Sequence, residues 1–156
     1  MRALPEGAAV IYRDYDDPRR AGVARRYRSI CGARGLLFLV AGDVGLARAV
    51  GADGVHLPAR ELGAIAAAPG LIVSAACHTA TELRRARAGG ADLALLSPVF
   101  ATASHPSTEP LGIERFRRLA GAAPLPVLAL GGVDAGNAGA LAGRNVAGLA
   151  AIGAFS

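Results

Sequence analysis

The feature that most constrains this chain is a series of seven short apolar runs separated by segments with helical patterns. Each run is nearly continuous in its hydrophobicity, which is typical of parallel strands buried on both faces. Repeated βα units of this kind predict an α/β fold, either an open doubly wound sheet or a (β/α) barrel. The predicted strands span residues 8–12, 36–40, 54–57, 71–75, 93–97, 126–130 and 148–152.

Helix signals lie between the runs. Asp17 followed by Pro18 predicts a helix with Asp17 as its N-cap. Thr79 and Glu82 have the spacing of a capping box, and the helix that follows them ends at a pair of glycines. The segment FATASHPSTEP, residues 100–110, predicts a long irregular loop of the kind that often carries function.

Composition limits the class of protein. With 156 residues, of which 53 % are hydrophobic and 4 % aromatic, the chain predicts a single domain over residues 1–156 with a core of small, branched side chains. No apolar run reaches the roughly 18 residues that a membrane span needs, and the N-terminal segment lacks a signal-peptide pattern. We therefore expect a cytoplasmic protein with no membrane partner.

The charged residues and the cysteines exclude several classes of function. All 17 basic residues are arginine, so a Schiff-base lysine is impossible. The arginines are spread along helix-like stretches with no recognised nucleic-acid motif, and we expect no nucleic-acid partner. Cys77 and His78 are neighbours that would point to opposite faces of a strand, which excludes a catalytic dyad. We expect Cys31 and Cys77 to be packing residues.

Glycines at strand ends are the first candidate site. The run 126–130 stops at Gly131 and Gly132, and Gly153 follows the next run. Glycines at such positions let backbone N–H groups approach an anion closely, and barrel enzymes commonly bind phosphate after their last two strands. The alternative is two ordinary tight βα turns. We favour a phosphate-binding site.

Polar residues near other strand ends are further candidates. Arg13 follows the first run, where a guanidinium can clamp phosphate or instead pair with one of the aspartates after it. His105 lies in the long loop with Thr102 and Ser104, whose hydroxyl groups can hydrogen-bond an anionic ligand. An ordinary polar loop is the alternative for this segment.

Four segments, VGADGVHLP, LLSPVFATASHP, PVLALGGV and GLAAIGAF, occur in an order and at spacings that resemble the thiamine-phosphate synthase and TenI superfamily. The resemblance covers the chain from about residue 10 onward. It implies a phosphate-binding TIM-type (β/α) barrel in thiamine biosynthesis, with phosphorylated thiazole and pyrimidine ligands. In the synthase, hydroxymethylpyrimidine diphosphate ionises to a carbocation that thiazole phosphate captures, while Mg²⁺ and basic residues hold the pyrophosphate. The TenI branch includes thiazole tautomerases.

The resemblance implies roles for particular residues. Pyrophosphate binding falls on Arg13, and the family's Thr-x-Thr-Lys falls on residues 102–105, so that Thr102 and Ser104 keep hydroxyl groups and His105 replaces lysine. Arg13 and His105 are therefore the expected catalytic residues. The thiazole-phosphate cup falls on Gly131, Gly132, Ile152 and Gly153.

Other positions depart from the family pattern. The Asn-Asp pair that follows the second run in the family falls on Ala41 and Gly42, and a lysine near Arg13 becomes Tyr15. Glu61 matches the second metal-binding carboxylate and is the expected Mg²⁺ ligand, with Asp43 as a substitute for the lost aspartate.

Two further functions stay open. One is a TenI-like tautomerase, although the tautomerase histidine falls on Pro98, so that His78 or His105 would have to act as acid and base. The other is a phosphate-binding regulatory or accessory protein without catalysis, or a different phosphate-ligand barrel enzyme.

The resemblance also implies an incomplete barrel. The family's first strand and helix and its last helix have no counterpart, which leaves about seven strands and two open edges near Val10 and Leu149. We expect a homodimer, or the short N-terminal segment, to cover this gap.

Overall fold

A computed structural model of the chain describes residues 4–58, 60–63, 68–102 and 108–152. Seven strands form one parallel sheet, and their order in the sheet is their order in the sequence. A doubly wound sheet reverses its strand order at a switch point, so the sequential order identifies the barrel-type fold, here a curled half-barrel. The strands are β1 (Ala9–Tyr12), β2 (Leu37–Ala41), β3 (Gly54–Leu57), β4 (Ile72–Cys77), β5 (Leu93–Leu96), β6 (Val127–Ala129) and β7 (Val146–Leu149).

Burial on both faces explains why the strands read as continuous apolar runs. Every residue of β3 is buried, as are all but the first residue of β2. The largest fully buried side chains are Phe38 on β2 and Phe116 on a covering helix. Cys31 and Cys77 lie in this core as free thiols, which confirms the packing role, and burial raises the pKa of Cys77 to about 12.

Four helices cover the sheet: α1 (Arg20–Gly32), α2 (Val44–Ala49), α3 (Ala80–Gly89) and α4 (Gly112–Gly121). None of the helices in the described ranges is both long and apolar enough to cross a membrane. The capping box of α3 is confirmed, because Glu82 N–H donates to Thr79 Oγ1 at 3.2 Å and Thr79 N–H donates to the Glu82 carboxylate at 3.0 Å.

The predicted boundaries of α1 and β7 are wrong, and β4 continues two residues beyond its predicted end, to Cys77. Helix α1 has Arg19 rather than Asp17 as its N-cap, because residues 18–19 form a turn in which the Asp17 carboxylate accepts from Arg19 N–H at 2.8 Å. Strand β7 begins two residues earlier than the predicted run and ends at Leu149, so Ile152 lies beyond the strand. A register irregularity between Val127 and Leu128 accompanies this shift.

Asn145 fixes the entry into β7. Its backbone is left-handed, with φ at 65°, a conformation that asparagine tolerates better than most residues. Its side-chain amide nitrogen lies 3.2 Å from the Ala120 carbonyl, 3.1 Å from that of Ala123 and 2.7 Å from that of Leu125. One side chain thus joins the end of α4 and the approach to β6 to the start of β7.

We expect Asn145→Asp to lower the free energy of unfolding by about 3 kcal/mol, because a carboxylate would face three carbonyl oxygens and no longer donate to them. Asn145→Gly keeps the left-handed backbone and loses only the hydrogen bonds, so its loss should be smaller, about 1–2 kcal/mol. Urea unfolding followed by circular dichroism measures both. Equal losses in the two variants would contradict the role assigned to the amide.

Candidate functional site

A cavity of about 330 Å³ opens at the edge of the sheet where the carboxyl ends of the strands meet. Its position follows from the strand register, since Cys77, Leu96, Ala129 and Leu149 pair in one row across β4 to β7. The residues that follow this row therefore come together. The cavity is lined by Arg13, His78, Ser97, Pro98, Thr102, Thr108, Leu130, Gly131, Gly132, Val133, Ala151 and Ile152.

Gly131 and Gly132 are required by the packing as well as suited to binding. Their φ angles are +99° and +63°. A Cβ on Gly131 would lie 2.8 Å from Pro98 Cα, and one on Gly132 would lie 2.5 Å from the Ala101 carbonyl oxygen. Only glycine lets the chain after β6 lie this close to residues 98–101. Tight packing and phosphate binding are therefore compatible explanations of the glycine pair.

The backbone N–H groups of the two glycines give the cavity wall its donors. Within the described ranges, neither the Gly131 nor the Gly132 N–H donates to a protein acceptor. Their carbonyl groups are held, since Gly131 accepts from Phe100 N–H at 2.9 Å and Gly132 accepts from the Asn137 side-chain amide at 2.8 Å. A fixed backbone with two unpaired N–H groups is suited to an anionic oxygen.

A small turn after the glycines holds this backbone. The Asp134 carboxylate accepts from the N–H groups of Gly136 and Asn137, at 2.8 and 3.0 Å. In return the Asn137 side-chain oxygen accepts from Asp134 N–H at 3.0 Å. The Asp and Asn that follow the glycine pair thus lock the turn, and the 3-10 turn Ala138–Leu141 begins directly after it.

Arg13 lies on the wall of the same cavity. No ion pair of Arg13 is present in the part of the chain that the structure describes, and Asp17 pairs with Arg19 at 3.3 Å instead. Its charge also reaches the next strands, because it contributes to lowering the pKa of His56. The structure thus brings Arg13 together with the glycine pair and Thr102, while the roles predicted for them stay predictions.

His78 also lines the cavity, although the sequence marked it only as a possible substitute in the tautomerase alternative. Its Nδ1 lies 2.7 Å from the Ser97 carbonyl oxygen, and its backbone N–H donates to the Glu82 carboxylate at 2.6 Å. Since a carbonyl can only accept, Nδ1 carries the proton, and Nε2 of the neutral ring keeps its lone pair. The signal that could have located it is the position directly after β4, at the edge where the strands end.

His56 is a buried histidine at the same edge, opposite Ser74. Its Nδ1 lies 2.9 Å from Ser74 Oγ, and the ring is 7 % exposed. Burial lowers the pKa of His56 to about 4, with a smaller contribution from the positive charge of Arg13. His56 is therefore neutral at pH 7 and acts as a satisfied interior side chain.

Three predicted site residues, Ser104, His105 and Gly153, lie outside the described residues. Ile152, the fourth member of the predicted phosphate cup, lines the cavity and is 57 % exposed.

Comparisons with known proteins identify the family. A family model described as thiamine monophosphate synthase matches residues 1–155. The chain belongs to the thiamine monophosphate synthase family. It is 42 % identical over 142 residues to the thiamine biosynthesis bifunctional protein ThiM/ThiE of Symbiobacterium thermophilum, covering 88 % of this chain and 30 % of that protein. It is 36 % identical to the thiamine-phosphate synthase of Thioalkalivibrio sulfidiphilus, covering 88 % of this chain and 69 % of that protein.

A solved structure supports the same assignment. Thiamine phosphate pyrophosphorylase from Pyrococcus furiosus superimposes with a TM-score of 0.81 at 29 % identity, covering 93 % of this chain and 72 % of that one. The chain thus spans only part of the proteins that it matches, from 30 % of the bifunctional protein to 72 % of the solved structure. Membership of the thiamine monophosphate synthase family agrees with the fold and with the resemblance of the four strand-end segments.

The family resemblance implies Mg²⁺, with Glu61 as the predicted ligand. The Glu61 carboxylate lies 3.2 Å from Arg60 Nη2. The carboxylate of Asp43 accepts from Leu46 N–H at 2.8 Å and pairs with Arg20 at 3.4 Å. Over the described ranges, no three His, Cys, Asp or Glu side chains group to hold a metal ion. Both carboxylates are thus already engaged by protein donors, and the magnesium site stays a prediction.

The low pKa of His56 makes stability depend on pH. Folding lowers this pKa from its ordinary 6.5 to about 4, so the unfolded chain binds the proton more readily and stability falls as the pH drops through this interval. Between pH 7 and pH 5 we expect His56 to contribute a loss of about 2 kcal/mol. His56→Asn, which can keep the contact with Ser74, should remove this loss. Urea unfolding of both proteins at the two pH values measures it, and equal losses would exclude His56 as the source.

Proposed function

We propose that the chain binds thiazole phosphate in the cavity and joins it to hydroxymethylpyrimidine diphosphate. The observation that carries the proposal is the wall formed by the unpaired N–H groups of Gly131 and Gly132 with the guanidinium of Arg13. Two backbone donors and one cation on one cavity suit two phosphorylated ligands that must meet. Relatives named thiamine-phosphate synthase support the same reaction.

The roles of the residues follow from the reaction. A bond forms between the thiazole ring nitrogen and the pyrimidine methylene carbon, while the bond from that carbon to the diphosphate breaks and its electron pair leaves with the diphosphate. Arg13 stabilises the charge that develops on the leaving group. The N–H groups of Gly131 and Gly132 hold the phosphate of the thiazole. For Ser104, hydrogen bonding to an anionic ligand remains a prediction, as does the catalytic role of His105.

A second function rests on His78. Because its Nδ1–H is bound to the Ser97 carbonyl at 2.7 Å, its Nε2 can accept a proton from a ligand in the cavity. A thiazole phosphate held at the glycine pair would bring a ring carbon near such a base. Tautomerisation of the thiazole is therefore the alternative activity, with His78 in place of the histidine that falls on Pro98.

The proposal is tested by mixing the protein with both precursors and Mg²⁺, measuring thiamine phosphate, and measuring thiazole-phosphate binding by calorimetry. Arg13→Ala should lower the rate of product formation about 100-fold, because it removes the charge facing the leaving group. Arg19→Ala is the matched control: Arg19 lies in the same βα connection but pairs with Asp17 and does not line the cavity, so its rate should stay within about twofold.

Thiazole-phosphate binding without product would contradict the synthase and support a binding protein without catalysis. Isomerised thiazole phosphate that disappears in His78→Gln would support the tautomerase instead. Equal rates in the Arg13 and Arg19 variants would contradict the role given to Arg13.

The expected homodimer is also a proposal. Within the described residues, β1 and β7 each pair with one strand only, and Leu149 on β7 is 47 % exposed. A second copy that covers these edges would bury the apolar side chains and satisfy the unpaired strand backbone. Light scattering over a range of concentrations should give the mass of two chains, and a monomer at every concentration would contradict the dimer.

A further inference from the structure

The side chain of Arg20 crosses from the start of α1 to the carboxyl end of β2. Its Nη2 donates to the Ala41 carbonyl at 2.6 Å, and its Nη1 lies 3.4 Å from Asp43 Oδ2. The side chain is 16 % exposed. The guanidinium therefore bonds a backbone carbonyl and a carboxylate oxygen at the end of β2.

Gly42, between these two acceptors, is closely approached by its neighbours, so a side chain there would require the ring of Tyr15 to shift. Its φ is +69°, a conformation that other residues rarely adopt. A Cβ there would lie 3.1 Å from the ring of Tyr15 and 3.6 Å from the Glu61 carboxylate. The ring of Tyr15 is in turn 5.4 Å from the Arg20 guanidinium carbon, within the range of a cation–π contact.

Among the described residues, two polar atoms beside this cluster have no protein partner. In the described part of the chain, Arg20 Nε is buried without a hydrogen-bond partner, and so is the hydroxyl group of Tyr12, whose ring centroid is 6.0 Å from the guanidinium carbon. N–H groups donate and cannot ligate a metal ion. Of the oxygens that could ligate one, those of Ala41 and Asp43 are bound to the guanidinium, and the Glu61 carboxylate lies 3.2 Å from Arg60 Nη2.

We infer that the Arg20 guanidinium stands in for a divalent cation at the end of β2, and that a diphosphate is held at this edge by Arg20 without Mg²⁺. The identity of the anion as a diphosphate rests on the proposed function. The position of the guanidinium does not: it follows from its bonds to Ala41 and Asp43. Arg13, which follows the adjacent strand β1, provides a second guanidinium at the same edge.

Arg28 is a matched control in the same helix. Its Nε donates to the Gly51 carbonyl at 2.6 Å, and its Nη2 lies 3.4 Å from Asp53 Oδ1. As for Arg20, one partner is a backbone carbonyl and the other is an aspartate carboxylate. Both partners of Arg28, however, precede β3 and lie at the opposite edge of the sheet. Loss of Arg28 therefore removes equivalent bonds without changing the charge at the site.

The test is calorimetric titration of the whole chain with inorganic pyrophosphate in EDTA. We expect binding in the wild-type protein, a loss of about tenfold or more in Arg20→Gln, and a change within about twofold in Arg28→Gln. In parallel, the protein is added to Mn²⁺ alone and the free-ion signal is followed by electron paramagnetic resonance. We expect the wild-type protein to leave this signal unchanged.

Four results would overturn the inference: no pyrophosphate binding in EDTA, equal loss in the two variants, binding unaffected by Arg20→Gln, or stoichiometric uptake of Mn²⁺ by the wild-type protein. The Mn²⁺ measurement needs no variant and decides the matter even if Arg20→Gln does not fold. Failure to form thiamine phosphate would contradict the proposed function and leave these results standing.

Discussion

Parallel pairing of each strand with the next in sequence is the constraint on which the site depends. It places all carboxyl ends at one edge, and the row from Cys77 to Leu149 fixes which residues emerge side by side there. His78, Pro98 and Gly131 together span more than fifty residues of the chain, yet they line one cavity because each follows a member of that row or its neighbour. The residues at which the strands end thus determine which side chains line the site.

The approach of the chain after β6 to the segment after β5 is the second constraint. A Cβ at Gly132 would collide with the Ala101 carbonyl, so this contact requires a residue without a side chain in a segment that also lines the cavity. The carbonyl groups of the glycine pair accept hydrogen bonds from Phe100 and Asn137. Among the described residues, the N–H groups of the pair have no acceptor. Packing and binding are two consequences of one backbone path.

The sequence predicted the elements whose signals are local. Continuous apolar runs located the sheet, and the Thr79–Glu82 spacing located the start of α3, because burial and capping depend on neighbours in the chain. The start of β7 was misplaced, since a register irregularity opposite Val127 shifts the pairing and leaves no mark in composition. The contact that orients His78 and the bonds of Arg20 were missed for a related reason. Each depends on an acceptor about twenty residues away, Ser97 and Ala41, that only the folded sheet brings near.

The use of arginine for every Lys/Arg position affects how helix α1 is attached to the sheet. A guanidinium presents several donors in one plane, so it can bond a carbonyl and a carboxylate together, whereas an ammonium group is a single point charge. Arg20 and Arg28 both do this, and they fasten one helix to opposite edges of the sheet. At the edge where β3 begins, such a bond fastens the helix to the sheet. At the edge where the strands end, the same kind of bond holds the Arg20 guanidinium against Ala41 and Asp43, so the helix that stabilises the sheet also places an ion pair at the end of β2.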